Sequence, residues 1–243
     1  MERASGRTHR QARLCRALEP AARPRRLVIL PQPPLLLITD RHQARRPLEE
    51  VVAAALGGGC RWISLREKDL SHEARVVLLG RLVALGRARD ATIMVHGDVE
   101  AAVAASAAGV HLPAGGSPRS ARLRLGAHAL VGVSTHSRAE VEAAVAAGTD
   151  YVSLSPIFAS ASKPGYGPPL GLSNLRRIAQ EFEIPILALS GISIANAAQC
   201  LAAGAAGVAV MGFVMRAADP GDAICRLIAA LGSMPGMSIS CQH

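Results

Sequence analysis

Lysine is nearly missing from this basic chain. Of 27 basic residues among 243, only Lys68 and Lys163 are lysine; the rest are arginine. An ammonium is a compact charge on a flexible stem, whereas a guanidinium is a planar, permanently charged fork. A site that touches phosphate with one small cation cannot exchange the first for the second without being rebuilt. Lys68 and Lys163 are therefore candidate ligand positions, with drift as the alternative. Aromatic residues are also scarce: one Trp, two Tyr and three Phe. A surface that stacks bases needs more, so nucleic acid is not an expected partner. The five cysteines, Cys15, Cys60, Cys200, Cys225 and Cys241, are odd in number and form no Cys-x-x-Cys pair. That excludes the usual disulfide and zinc frameworks and fits reduced thiols in a cytoplasmic protein. No apolar run reaches membrane-spanning length, since Pro31, Pro33 and Pro34 interrupt Leu27–Ile38. A membrane partner is not expected, and the first residues lack a signal-peptide layout. Also absent are a Gly-x-Ser-x-Gly elbow, a Gly-x-Gly-x-x-Gly turn after the first apolar run, and any metal-ligand spacing of His, Cys, Asp and Glu. No metal and no cofactor is expected from the residues alone.

The net charge of +9 is unevenly placed. Residues 1–26 carry eight arginines against Glu2 and Glu19, which leaves the remainder near neutral. The basicity belongs to the tail. Residues 1–34 are expected to be a disordered extension, with a targeting peptide as the alternative for 1–26. Residues 35–231 are expected to form one domain, and 232–243 a tail.

From Leu35 onward, short apolar runs alternate with Ala-rich amphipathic stretches. Eight strands are predicted: Leu35–Thr39, Trp62–Arg66, Thr92–Val95, Val110–Leu112, Leu130–Ser134, Tyr151–Ser155, Ile184–Leu189 and Gly207–Met211. Helices between them are predicted at Leu48–Leu56, Ser71–Arg87, Val99–Ala107, Ala139–Ala147, Leu172–Glu181 and Ile194–Ala203. Ser71 and Asp98 suit N-caps, and Gly57, Gly148 and Gly204 suit helix ends. The alternation predicts an α/β (β/α)8 TIM barrel. A doubly wound open sheet is the runner-up.

Chemistry in such a barrel sits at the carboxyl ends of the strands. Those ends read Asp40-Arg41, Arg66-Glu67-Lys68, His96, His111, Ser134-Thr135-His136, Ser155-Pro156, Ser190-Gly191 and Met211-Gly212. Strand alternation puts Ser64, Arg66 and Lys68 on one side, and Ser134 with His136. Gly191 and Gly212 open glycine-rich turns after the last two strands. Such turns bind phosphate through backbone N–H groups, or simply close tight bends. His136 is a candidate general base or a surface cap for the next helix. His111 is expected to be a packed barrel histidine. His96 is a candidate ligand contact.

The ordered segments resemble one superfamily, that of thiamine phosphate synthase and TenI, the thiazole tautomerase. They include Leu37-Ile-Thr-Asp40, Leu65-Arg-Glu-Lys68, Gly109-Val-His-Leu112, Gly132-Val-Ser-Thr-His-Ser137, Ser155-Pro-Ile-Phe158, Ser162-Lys163-Pro164 and Ala203-Gly-Ala-Ala-Gly-Val-Ala-Val210. The resemblance implies a barrel that binds thiazole phosphate, a small-molecule partner, and allows a homo-oligomer. It assigns Arg66 and Lys68 to pyrophosphate, and Ser134, Thr135 and Lys163 to further ligand contacts. It places Gly191 in the thiazole-phosphate loop and matches His136 to the tautomerase's catalytic histidine. The chain also departs from the synthase pattern. Gly97 and Gly116 stand where synthases hold Mg2+ with aspartates, and Gly212 replaces a phosphate-gripping Ser. Asp98 could stand in for one aspartate or be a helix N-cap. Glycine gives magnesium no oxygen ligand. The expectation is a metal-independent thiazole tautomerase-type isomerase. Mg2+ is required only by the alternative, a thiamine phosphate synthase. A non-catalytic sensor of thiazole or thiamine phosphates is the third reading.

Overall fold

The computed structural model describes residues 28–160 and 168–232. Eight parallel strands close into a barrel in sequence order: β1 (Leu35–Ile38), β2 (Trp62–Leu65), β3 (Thr92–His96), β4 (Gly109–Leu112), β5 (Leu130–Thr135), β6 (Tyr151–Leu154), β7 (Ile186–Leu189) and β8 (Gly207–Val210). The helices on the outside are α1 (Leu48–Gly57), α2 (His72–Arg87), α3 (Val99–Ala104), α4 (Pro118–Leu125), α5 (Arg138–Ala146), α6 (Gly171–Glu181), α7 (Ala197–Ala202), α8 (Gly212–Met215) and α9 (Pro220–Gly232). The expected barrel is the observed one. Each strand is buried on both faces, which is why most of its residues are apolar, with Ser64, His111 and Ser153 among the few buried polar interruptions. Among the described residues, no helix is long and apolar enough to cross a membrane.

Two apolar layers hold the sheet. Leu37, Ile63, Leu65, Val95, Val110 and Val133 face outward into the sheet–helix layer. Leu36, Trp62, Met94, Tyr151, Leu187 and Ala209 fill the barrel interior. The rings of Trp62 and Tyr151 meet edge-on with centroids 4.8 Å apart. Gly132 makes room for them, because a Cβ there would lie 2.1 Å from the Tyr151 ring.

Part of the predicted N-terminal extension belongs to this core. Leu30 is only 7% exposed and packs in the interior cluster with Leu36 and Trp62. Pro34 O accepts from Val208 N at 2.9 Å, tying this segment to β8. The expectation of a disordered 1–34 is corrected for residues 28–34; 1–27 and the predicted tail from 233 lie outside the described residues. Ser71 and Asp98 cap α2 and α3, as the sequence suggests, and Ser117 and Ser137 cap α4 and α5.

Candidate active site

The carboxyl ends of the strands enclose a cavity of about 480 Å3. Arg66 and Lys68 reach it from the end of β2, where Glu67 lies between them and points the other way. Glu67 is buried, and its carboxylate accepts from the Thr39 hydroxyl at 2.7 Å and from Arg41 N at 3.1 and 3.2 Å. Thr39 Oγ1 in turn accepts from Arg66 N at 2.9 Å. One buried carboxylate thus fixes the turn that presents both cations. The next acid, Asp69, is engaged by the Arg41 guanidinium and by His42, and Arg41 holds its carboxyl well below the usual carboxylate range.

The opposite wall comes from β4, β5 and β6. His111 Nε2 lies 3.0 Å from Ser134 Oγ and 3.2 Å from Ser153 Oγ, and its Nδ1 lies 2.9 Å from the Tyr151 hydroxyl. Full burial pushes the His111 pKa down to about 4. A neutral imidazole supplies one donor and one acceptor, so this chain is satisfied without charge. His111 is the packed barrel histidine expected, but it also lines the cavity and positions Ser134. The His96 ring stacks on it, with centroids 5.5 Å apart.

His136 stands at the cavity wall just beyond β5. Ser137, not His136, caps α5, accepting from Glu140 N at 3.2 Å. The Glu140 carboxylate reaches back to His136 N at 2.8 Å, a variant of the capping box that fixes the histidine backbone. His136 Nδ1 sits 2.9 Å from the Ser155 carbonyl, which can only accept. The Ser155 hydroxyl also lies 3.2 Å from Nδ1; the carbonyl favours the Nδ1–H tautomer of the neutral ring, in which Nε2 is the basic nitrogen. That is the tautomer a general base needs.

β7 and β8 complete the rim. Gly191 adopts φ +67°, and a Cβ there would lie 2.4 Å from Ala159 O. Only glycine fits this close approach. Ser190 also has positive φ, with its hydroxyl donating to Phe158 O at 3.2 Å. Gly212 begins α8, and both glycines face the cavity.

The structure therefore brings together Arg66, Lys68, His96, Ser134, His136, Gly191 and Gly212. It does not bring Thr135 to them. Thr135 is fully buried, and its hydroxyl donates to Ser153 O at 3.1 Å. Strand alternation that turns Ser134 inward turns the Thr135 side chain outward, so a ligand contact at this position would fall to its backbone. Lys163 lies outside the described residues. Ser155, one of the strand ends read from the sequence, also lines the cavity, and so does Arg216, which was not among the sequence candidates. Arg216 follows the last strand by a full helical turn, which hid it from a reading of strand ends.

The family profile of thiamine monophosphate synthase matches residues 35–214. The chain belongs to that family. A putative thiamine-phosphate synthase of Geobacter sulfurreducens is 43% identical over 199 residues, covering 81% of this chain and 93% of the relative. A thiamine-phosphate synthase of a Roseiflexus species is 39% identical, covering 81% and 84%. A solved thiamine phosphate pyrophosphorylase from Pyrococcus furiosus superposes with a TM-score of 0.73 at 31% identity, covering 81% of this chain and 94% of that one.

Membership raises the question of magnesium. None of the described residues lining the cavity is a carboxylate. Asp98 Oδ1 accepts from Ala101 N at 2.9 Å, and Oδ2 holds Arg75 at 2.5 Å and His72 at 3.0 Å. Asp98 is thus the α3 N-cap rather than a substitute ligand. Gly97 N donates to His111 O across the ends of β3 and β4, and Gly116 N donates to Pro113 O in a tight turn. This donor set is cationic, hydroxylic and imidazole, and does not fit magnesium, which takes oxygen ligands and usually a carboxylate.

Proposed function

We propose that the cavity binds a phosphorylated thiazole of thiamine biosynthesis and moves a proton on it without a metal. Family membership supports the pathway. The reaction rests on one observation: His136 Nδ1 faces the Ser155 carbonyl at 2.9 Å, which favours the Nδ1–H tautomer with a basic Nε2, in a wall with no carboxylate among the described residues. The glycine turns at Gly191 and Gly212 would hold the phosphate through backbone N–H groups. Arg66 and Lys68 would take a second anionic group. His136 Nε2 removes a proton from the ring, and the electron pair it leaves is delocalised towards the cationic side. The same imidazolium returns the proton at the new position.

A second reading is the synthase reaction, which joins a hydroxymethylpyrimidine diphosphate to thiazole phosphate and releases pyrophosphate. The names of the relatives support it, and none of those named above is an isomerase. The cavity argues against it, because departing pyrophosphate would lack the carboxylate-held magnesium expected of synthases. Two assays on the same preparation decide. Chelator-insensitive proton exchange on a carboxylated thiazole phosphate supports the isomerase. Magnesium-dependent pyrophosphate release, abolished by chelator, overturns it in favour of the synthase.

A further inference from the structure

The cavity carries a third cation that neither reading above uses. Arg216 N bonds Gly212 O at 3.2 Å, so this residue sits one helical turn beyond Gly212. Helical side chains lean towards the helix start, and the Arg216 side chain accordingly lines the cavity beside Gly212 and Phe213. Its guanidinium donates to Gln43 Oε1, and Gln43 Nε2 donates to Asp40 Oδ2 at 2.6 Å. Arg46 donates to Ala218 O at 2.7 Å, so the loop after β1 pins the segment after β8 at two points. Because β8 and β2 both flank β1 in the closed sheet, Arg216, Arg66 and Lys68 form one cationic arc across the mouth from His136. Within that arc, Arg216 is on the side of Gly212, and Arg66 and Lys68 stand across β1 from it.

We infer that Arg216 is a specificity-determining residue that grips the phosphomonoester end of the substrate. This rests on the reading that places phosphate at Gly191 and Gly212. A planar fork matches phosphate oxygens two at a time, and it adds charge to a loop whose other donors are neutral backbone groups. The Gln43 contact orients the fork beforehand. Arg216 therefore makes the cavity choose a phosphorylated ligand over the corresponding alcohol.

Arg216 is exposed on its outer side, so truncation leaves the barrel core untouched. The test titrates wild type, Arg216→Ala and Gln43→Ala by calorimetry with inorganic phosphate, thiazole phosphate and the unphosphorylated thiazole alcohol. Arg216→Ala is expected to weaken both phosphate probes by about 10- to 100-fold, the scale of a charge-assisted hydrogen bond, and to leave the alcohol unchanged. Gln43→Ala, which breaks the clasp but keeps the cation, is expected to stay within roughly threefold of wild type. Unchanged phosphate affinity in Arg216→Ala overturns the inference. So does an equal loss in Gln43→Ala, which would assign the effect to the clasp. Wild type that binds inorganic phosphate through Arg216 but ignores thiazole phosphate sinks the proposed substrate and leaves the role of Arg216 standing. Failure of wild type to bind either phosphate overturns both.

Discussion

Acid should destabilise this barrel through one residue. His111 is fully buried, and its pKa falls from 6.5 to about 4 because burial penalises the imidazolium. Below pH 6.5 the unfolded chain takes up a proton that the native protein refuses until about pH 4. The stability contributed by the neutral ring is therefore fully present above pH 6.5. It is lost progressively as pH falls from 6.5 to 4, and the loss is complete below that. Two and a half pKa units at about 1.4 kcal/mol each correspond to roughly 3–4 kcal/mol. That is a large share of the ~5–15 kcal/mol that holds a typical domain together. Urea unfolding of wild type and His111→Gln at pH 7, 5.5 and 4.5 isolates the effect, since carboxylate titration is common to both. His111→Gln should be the weaker protein at pH 7, having lost the fit to Tyr151 and Ser134. Wild type should lose about 2–3 kcal/mol more than the variant between pH 7 and 4.5. Parallel curves for the two proteins would refute the reasoning, because His111 would then titrate alike folded and unfolded.

Gly132→Ala should destabilise the barrel by about 1–3 kcal/mol, the usual cost of overpacking a core, because the new methyl meets the Tyr151 ring; thermal melts at pH 7 read this directly. Deleting residues 1–34 should lower the melting temperature by several degrees, since Leu30 and the Pro34 carbonyl go with them. The scale is roughly 2–4 °C per kcal/mol for a domain of this size. Equal melting points for the full chain and the 1–34 deletion would contradict the packing described for Leu30.

Strand positions were legible because burial on both faces leaves a short, mostly apolar run bounded by polar residues. α4 was not, because Arg119, Arg122 and Arg124 leave its eight residues with little apolar stripe. β7 starts two residues later than expected, at Ile186, after Pro185, which has no N–H to give the ladder. Leu30 was hidden in a proline- and arginine-rich stretch whose composition suggests disorder. At the site, strand ends located Arg66, Ser134 and His136, and period-two alternation gave their common direction. The same alternation applied to Thr135 would have turned it outward. The resemblance supplied its position, which says nothing of which way a side chain faces. Arg216 left no signal, since a lone arginine after a four-residue helix has neither motif nor period.

The central claim is that His136 moves a proton on the thiazole without magnesium. Proton exchange at the thiazole carbon, followed by NMR in deuterated buffer with excess chelator, tests it most directly. Wild type should exchange at full rate. His136→Asn should exchange about 10²- to 10⁴-fold more slowly, the usual contribution of a general base, with thiazole phosphate affinity near normal. Exchange in His136→Asn as fast as in wild type, or exchange in wild type that stops with chelator, would contradict the account.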